Sequence, residues 1–341
     1  MSAERANGLR ANGEPLVRAV YARLADSRFH SGTALAESCG VSRSAIWKAV
    51  SQLRDLGVDI HAVPNRGYRV PAGSALLEAR QIRALLPTAE RARLREGSCA
   101  WTTGSTNADL LQAATPTPGQ FDFRTAEYQS AGRGRRTRRW FAPPGGALCL
   151  SLSWCFSSLP ADIAALSLAI GVCVLRALRA VGRPGAALKW PNDIVTEGRK
   201  LGGILIELRA EGSGPALVVL GIGLNVALGS KVLEEVRASG TEAADLSSLG
   251  SGPCDRNRLA AALIGTCVAG LSRFQQDGFR SFMEEWRAAD CLAGKAVLIS
   301  AEGGAIAGHA RGIDTDGALC VQTREGLQRF VTGEVSVRAA A

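Results

Sequence analysis

Histidine is scarce in this chain: three in 341 residues, at His30, His61 and His309. That excludes a Ser/His triad or a histidine-rich metal site in the middle of the sequence. Nine cysteines are scattered without a Cys-x-x-Cys pair, several of them in apolar runs such as ALCLSLSWC. They predict buried, reduced thiols and exclude a disulfide framework or zinc site. No Gly-x-x-x-x-Gly-Lys-Ser/Thr occurs, and the one Gly-Lys, Gly294-Lys295, continues into Ala296. Any ATP is therefore held without a P-loop. GRGRRT, at residues 132–137, has Thr137 where a dinucleotide fingerprint needs its third glycine, and RRWFAPPGG follows instead of a helical pattern. A Rossmann site is excluded. No run approaches the eighteen apolar residues of a membrane span, and the start carries no apolar signal core. The expectation is a cytoplasmic protein without membrane association, preceded by a short disordered leader at residues 1–13.

What is present is length for two or three domains, 46% hydrophobic residues to fill their cores, and a formal charge of +9. The charge favours an anionic partner: nucleic acid, nucleotide or acidic protein. Near the N-terminus, EPLVRAVYARLADS spaces Leu16, Val17, Val20, Tyr21 and Leu24 along one helical face. Ser31 caps a short second helix that stops at Gly40, and Ser42 caps a third that ends at Gly57. In the third, Ile46, Val50 and Leu53 form the inward stripe, leaving Arg43, Ser44, Trp47, Lys48 and Ser51 elsewhere. VDIHAVPNRGYRV then reads as a hairpin with Arg66 at its tip. Three helices and a basic hairpin predict a winged helix-turn-helix over residues 14–73, with the helix-turn-helix at 32–51 and Ser42, Arg43, Ser44, Lys48 and Arg66 facing DNA. A small helical protein-interaction module is the alternative.

Residues 76–289 mix strands (FDFRTAEY, GALCLSLSW, GAALKWPNDIV, RKLGGILIEL, ALVVLGIGLNV) with the helical ADIAALSLAIGVCVLRALRAVG. Several connections are too short for helical crossovers, which predicts an α+β layer on a mixed or antiparallel sheet. From residue 290 to 341, short strands separated by Gly-containing turns predict a small SH3-like β-barrel.

The remaining chemistry must run on arginine, lysine and backbone amides, the equipment of phosphate chemistry without a covalent enzyme intermediate. GRGRRTRRW places five arginines in nine residues. Lys189 ends a predicted strand between Leu188 and Trp190, partly desolvated, as a functional or a snorkelling lysine. Gly202 and Gly203 inside a strand mark the close approach of a ligand or backbone, or a β-bulge. Trp140 is either an apolar pocket wall or the anchor of the arginine loop.

Taken in order, the winged helix, STN, EYQSAGRGRR, KWPND, KLGGIL, GIGLN and TGEVSVR resemble the bifunctional biotin-protein ligase and biotin operon repressor family over nearly the whole chain. The resemblance implies a class II synthetase-like central domain that uses ATP, biotin and Mg2+ to make biotinyl-5′-AMP. The biotinyl group then passes to a lysine of a biotin carboxyl carrier protein domain. It also implies a homodimer, formed on ligand binding, that represses at operator DNA of biotin synthesis genes. By position, Ser105, Thr106, Asn107 and Gln129 should bind the ureido ring. Gly132, Arg133, Gly134, Arg135 and Arg136 should close over the acyl-phosphate, with Lys189 on the carboxylate or α-phosphate. Trp140, Asn192, Gly202 and Gly203 complete the expected site, and Arg133, Arg135 and Lys189 are its catalytic members. Thr137 stands where the family usually has glycine, and ASGTEAADLSSLG lacks an adenine-covering aromatic. A lipoate-protein ligase of the same fold, or a ligand-sensing transcription factor without catalysis, are the alternatives.

Overall fold

The computed structural model describes the chain except residues 1–9, 12–13, 136–137, 211–213, 239, 302–303, 332–335 and 340–341. Part of the expected disordered leader is structured, since β1 (Arg10–Ala11) pairs with β2 (Glu14–Pro15) ahead of the first helix. Helix α1 (Leu16–Leu24) buries the five predicted apolar residues. Helix α2 (Gly32–Cys39) starts at Ser31, whose side chain accepts from the Ala34 amide, and stops at Gly40 in the left-handed region. Ser42 caps α3 (Arg43–Asp55) in the same way, and Ile46, Ala49, Val50 and Leu53 are its buried face. The hairpin of β3 (His61–Val63) and β4 (Gly67–Arg69) completes the winged module. Its core includes Tyr128, contributed by the central sheet.

Two short helices, α4 (Ala79–Leu85) and α5 (Thr88–Arg93), lead into a seven-stranded sheet. Its strands are β5 (Leu94–Thr103), β6 (Phe121–Gln129), β7 (Ala147–Phe156), β8 (Ala187–Lys189), β9 (Asp193–Thr196), β10 (Arg199–Ala210) and β11 (Ala216–Asn225). They lie in the order β5-β6-β7-β11-β10-β9-β8, with β5 and β6 parallel and every other pair antiparallel, the mixed sheet expected. Along β7, Leu148, Leu150, Leu152, Trp154 and Phe156 face the main core with α7 (Leu166–Ala180) and α9 (Arg256–Asp277). The alternate residues of β7 and β11 face the other way, where Leu217 and Val219 pack on Leu110 of α6 (Thr106–Gln112). Helices α8 (Ser230–Ala238) and α10 (Met283–Ala289) complete this layer.

Residues 163–180 do match a membrane span in length and hydropathy, although 67% of that stretch is buried in the protein. It is α7 with the turn before it, apolar almost all round because it is packed against both the sheet and α9. The C-terminal strands β12 (Ala296–Ala301), β13 (Gly304–Ile313), β14 (Leu319–Thr323), β15 (Gly326–Phe330) and β16 (Ser336–Ala339) form an antiparallel sheet in the order β15-β14-β13-β12-β16. The Trp190 indole ties this sheet to the central one by donating to the Gly317 carbonyl at 3.0 Å.

Candidate active site and DNA-facing surface

A cavity of about 830 Å3 opens on the α6 side of the sheet. Glycines on β11 make room for its walls. A Cβ at Gly221 would stand 2.5 Å from the Asn107 side-chain oxygen, and one at Gly223 would stand 2.5 Å from the Trp140 ring.

Ser105 caps α6, which sets Thr106 and Asn107 in its buried first turn. Gln129 Oε1 accepts from the Thr106 amide at 2.8 Å and from its hydroxyl at 3.1 Å. The Thr106 hydroxyl lies 2.7 Å from that of Ser151, which donates to Asn107 Oδ1 at 2.6 Å. Asn107 Nδ2 in turn donates to Glu207 at 2.8 Å. The predicted Ser105, Thr106, Asn107 and Gln129 thus line one wall, the last three joined through Ser151 into a neutral hydrogen-bonded chain. The sequence reading misses Ser151, a member of this chain, and Glu207, the carboxylate that accepts from its Asn107 end. The only signal for Ser151 is a polar residue at alternate positions of an apolar strand, and register is needed to tell which face it takes.

The arginine loop is a tight hairpin over its described residues. Gly134 donates to the Arg138 carbonyl at 2.7 Å, Trp140 donates to the Gly132 carbonyl at 2.9 Å, and Arg133 bridges to Arg139. Arg133, Gly134, Arg135, Trp140, Lys189, Asn192 and Gly203 all line the cavity. The loop does not stand alone as a cationic segment. Arg133 pairs with Glu207 at 3.2 Å, and Arg135 Nη1 lies 3.5 Å from Asn192 Oδ1. Arg136 and Thr137 lie outside the described residues. Among the described residues, no carboxylate stands within ion-pair distance of Lys189. The neighbouring Lys200, by contrast, holds Asp193 at 2.6 Å.

Two predicted glycines do not line the cavity. Gly132 sits at the hairpin base, where a Cβ would stand 2.6 Å from the Trp140 carbonyl oxygen. Gly202 faces the neighbouring strand, with the Gly223 carbonyl 2.4 Å from an added Cβ, beside a register shift between Lys200 and Gly202. Backbone packing and a bulge explain both. Trp140 lines the cavity and packs against Ala142, Ala147 and Cys149. Burial pushes the Cys149 thiol up to about 12, so at neutral pH it is an uncharged wall rather than a nucleophile.

On the winged module, Ser42 and Ser44 share a hydrogen bond at 2.9 Å at the start of α3. Arg43 and Lys48 are exposed on the same helix, and the Arg66 guanidinium lies over the Phe29 ring at 4.2 Å. These residues form a surface separate from the cavity.

Residues 102–225 match the model of the biotin/lipoate A/B protein ligase family, residues 17–69 an HTH domain, and residues 293–338 the biotin protein ligase C-terminal domain. The class is thus a ligase domain flanked by a helix-turn-helix and a small β domain. The bifunctional ligase/repressor BirA of Salmonella typhimurium is 38% identical over 93% of this chain and 96% of its own length. BirA of Bacillus subtilis is 28% identical over 92% and 95%. A biotin protein ligase from Aquifex aeolicus, solved in complex with biotin and ATP, superposes with a TM-score of 0.61 at 25% identity, covering 72% of this chain and 100% of that one. The chain belongs to the bifunctional biotin ligase/repressor family.

Proposed function

We propose that the chain joins biotin to AMP at the expense of ATP, retains biotinyl-5′-AMP, and passes the biotinyl group to a lysine of a biotin carboxyl carrier protein domain. In the first step a biotin carboxylate oxygen bonds the α-phosphorus and pyrophosphate leaves. In the second the lysine amine bonds the acyl carbon and AMP leaves. The observation that carries this reading is the neutral chain through Thr106, Gln129, Ser151 and Asn107 beside Arg133, Arg135 and Lys189 in one cavity. A ureido ring needs paired neutral donors and acceptors. The carboxylate and triphosphate repel each other unless cations offset them.

In this reading Ser105, Thr106, Asn107 and Gln129 hold the ring, and Arg133, Arg135 and Lys189 hold the carboxylate and α-phosphate. Arg136 joins them from the loop, Asn192 orients Arg135, and Trp140 forms an apolar wall. Gly134 and Gly203 leave room for the nucleotide, while Gly132 and Gly202 hold the backbone around it. Among the described residues, no three metal-ligating side chains gather, and Asp193 is paired with Lys200. Mg2+ would come with the triphosphate, and when bound it would supply charge neutralisation for the leaving pyrophosphate.

The test is biotin-dependent pyrophosphate release. Lys189→Ala and Arg135→Ala should each lower kcat/KM by roughly a hundredfold or more. Release without biotin dependence sinks the ligase reading. Equal acceptor labelling by lipoate, read by intact mass, sinks the assignment of the ring.

On the same reading the winged module represses biotin synthesis genes as a homodimer formed on ligand binding. Helix α3 then lies in the major groove of a palindromic operator, with Ser42, Arg43, Ser44, Lys48 and Arg66 at the contact. The dimer is supported by the free side of β10. Strand β9 pairs only with residues 199–203, and beyond them Leu208 is 45% exposed on an edge open to a second copy. Unchanged mobility of biotin-operon DNA in the presence of protein, biotin and ATP sinks this half. Module limits of 14–73, 76–289 and 290–341, and a cytoplasmic location where ATP and operator DNA meet, complete the proposal.

A further inference from the structure

We propose that Trp47 reads sequence in the operator, its indole entering the major groove and packing on the 5-methyl group of a thymine. Trp47 is 63% exposed, more than any other large apolar side chain among the described residues. It lies midway along the outward stripe Ser44, Trp47, Lys48 and Ser51 of α3, opposite the buried Ile46, Ala49, Val50 and Leu53. A duplex approaching this stripe must cover the indole.

The surroundings commit the surface to a polyanion. No acidic residue occurs on α3 before Asp55, while Arg43 and Lys48 flank the indole on the same helix. Arg66 on the hairpin adds a third cation, oriented by Phe29. A protein-binding surface would cluster apolar groups around the tryptophan, whereas here its stripe neighbours are two serines and a lysine. In a major groove the one apolar feature on base edges is the thymine methyl, which apolar side chains contact. Arginine and lysine at the flanks meet phosphate or guanine through charge and hydrogen bonds, which do not depend on the thymine methyl. Trp47 is therefore the member of the stripe whose contact depends on base identity through shape rather than charge.

This inference rests on the repressor reading, and the test separates the two. Full-length protein with biotin, ATP and Mg2+ is used to select from random-sequence duplexes. Each thymine of the selected half-site is then replaced by deoxyuridine, which keeps pairing and removes only the methyl group. At one thymine position per half-site the wild-type protein should lose about fourfold in affinity, the worth of one buried carbon group. Trp47→Ala should bind more weakly and be indifferent to that replacement. Lys48→Ala should bind more weakly at every position yet keep the sensitivity. Unchanged thermal unfolding of both variants shows that the loss is not one of folding. Uracil sensitivity that survives in Trp47→Ala, or that is absent from the wild type, overturns the proposal alone. Failure of the wild type to enrich any sequence overturns the repressor reading and the proposal with it.

Discussion

Two polar clusters sit two residues apart on β6. Glu127 meets Arg256 in a bidentate pair, 2.7 and 3.0 Å, with both side chains buried. Most of the remaining hydrogen-bonding capacity of that pair is used locally, the buried Arg256 Nε–H being left without a partner among the described residues. Glu127 also accepts from the amides of Leu77 and Gly145, and Arg256 donates to the carbonyls of Ala147 and Ala75. Gln129 heads the other cluster, whose members are hydrogen-bonded to one another yet open onto the cavity. A closed cluster holds segments together. Here it ties the linker after the winged module, the sheet and the start of α9 at a single point, beside Tyr21, whose hydroxyl donates to the Ser74 carbonyl at 2.7 Å. An open cluster keeps directional groups available for a ligand at some cost in stability.

Arg256→Ala breaks the closed cluster most severely, because it strands a buried carboxylate. The expected loss is about 3–5 kcal/mol of unfolding free energy, read by urea denaturation. Ser151→Ala interrupts the open cluster between Thr106 and Asn107. KM for biotin should rise roughly tenfold, with a much smaller change in Tm than for Arg256→Ala, and equal effects on stability would erase the distinction between the clusters. Tyr21→Phe removes one buried hydrogen bond at the edge of the closed cluster and should cost about 1 kcal/mol, with biotin KM unmoved. Burial pushes the Tyr21 phenol up, so it remains an uncharged donor throughout the neutral range.

The smallest effect belongs to a surface pair. Hydrogen bonding to Arg176 holds the Glu285 carboxyl below its usual range. A depressed carboxylate contributes stability above its unfolded pKa and loses it as pH falls through the folded value. Since both side chains are part-exposed, Glu285→Gln should cost under about 1 kcal/mol at neutral pH, and the difference in Tm should vanish in acid.

The winged module was almost wholly legible, because its signals are local: serine caps at Ser31 and Ser42, a left-handed stop at Gly40, and one apolar stripe per helix. The site was legible only in part. A glycine in sequence marks a close approach without saying what approaches: at Gly202 ligand, backbone and bulge all stayed open, and at both Gly132 and Gly202 the nearest group is backbone. Glu207 lies 74 residues from Arg133, and nothing local joins them. Residues 256–277 show little amphipathic pattern, because α9 is buried on several sides.

The sequence by itself determined the order of the modules, the caps and stripes of the helix-turn-helix, the alternation of the central strands and the inventory of groups open to chemistry. Each depends on residues within a few positions of one another. Tertiary structure alone decided that Glu127 turns to Arg256 while Gln129 turns to Thr106, that Ser151 joins the cavity wall with Glu207 behind it on Asn107 and Arg133, and that the apolar run of α7 lies in a core. Those outcomes depend on strand register and on which face of a sheet a side chain takes, and both are set by pairing between distant segments.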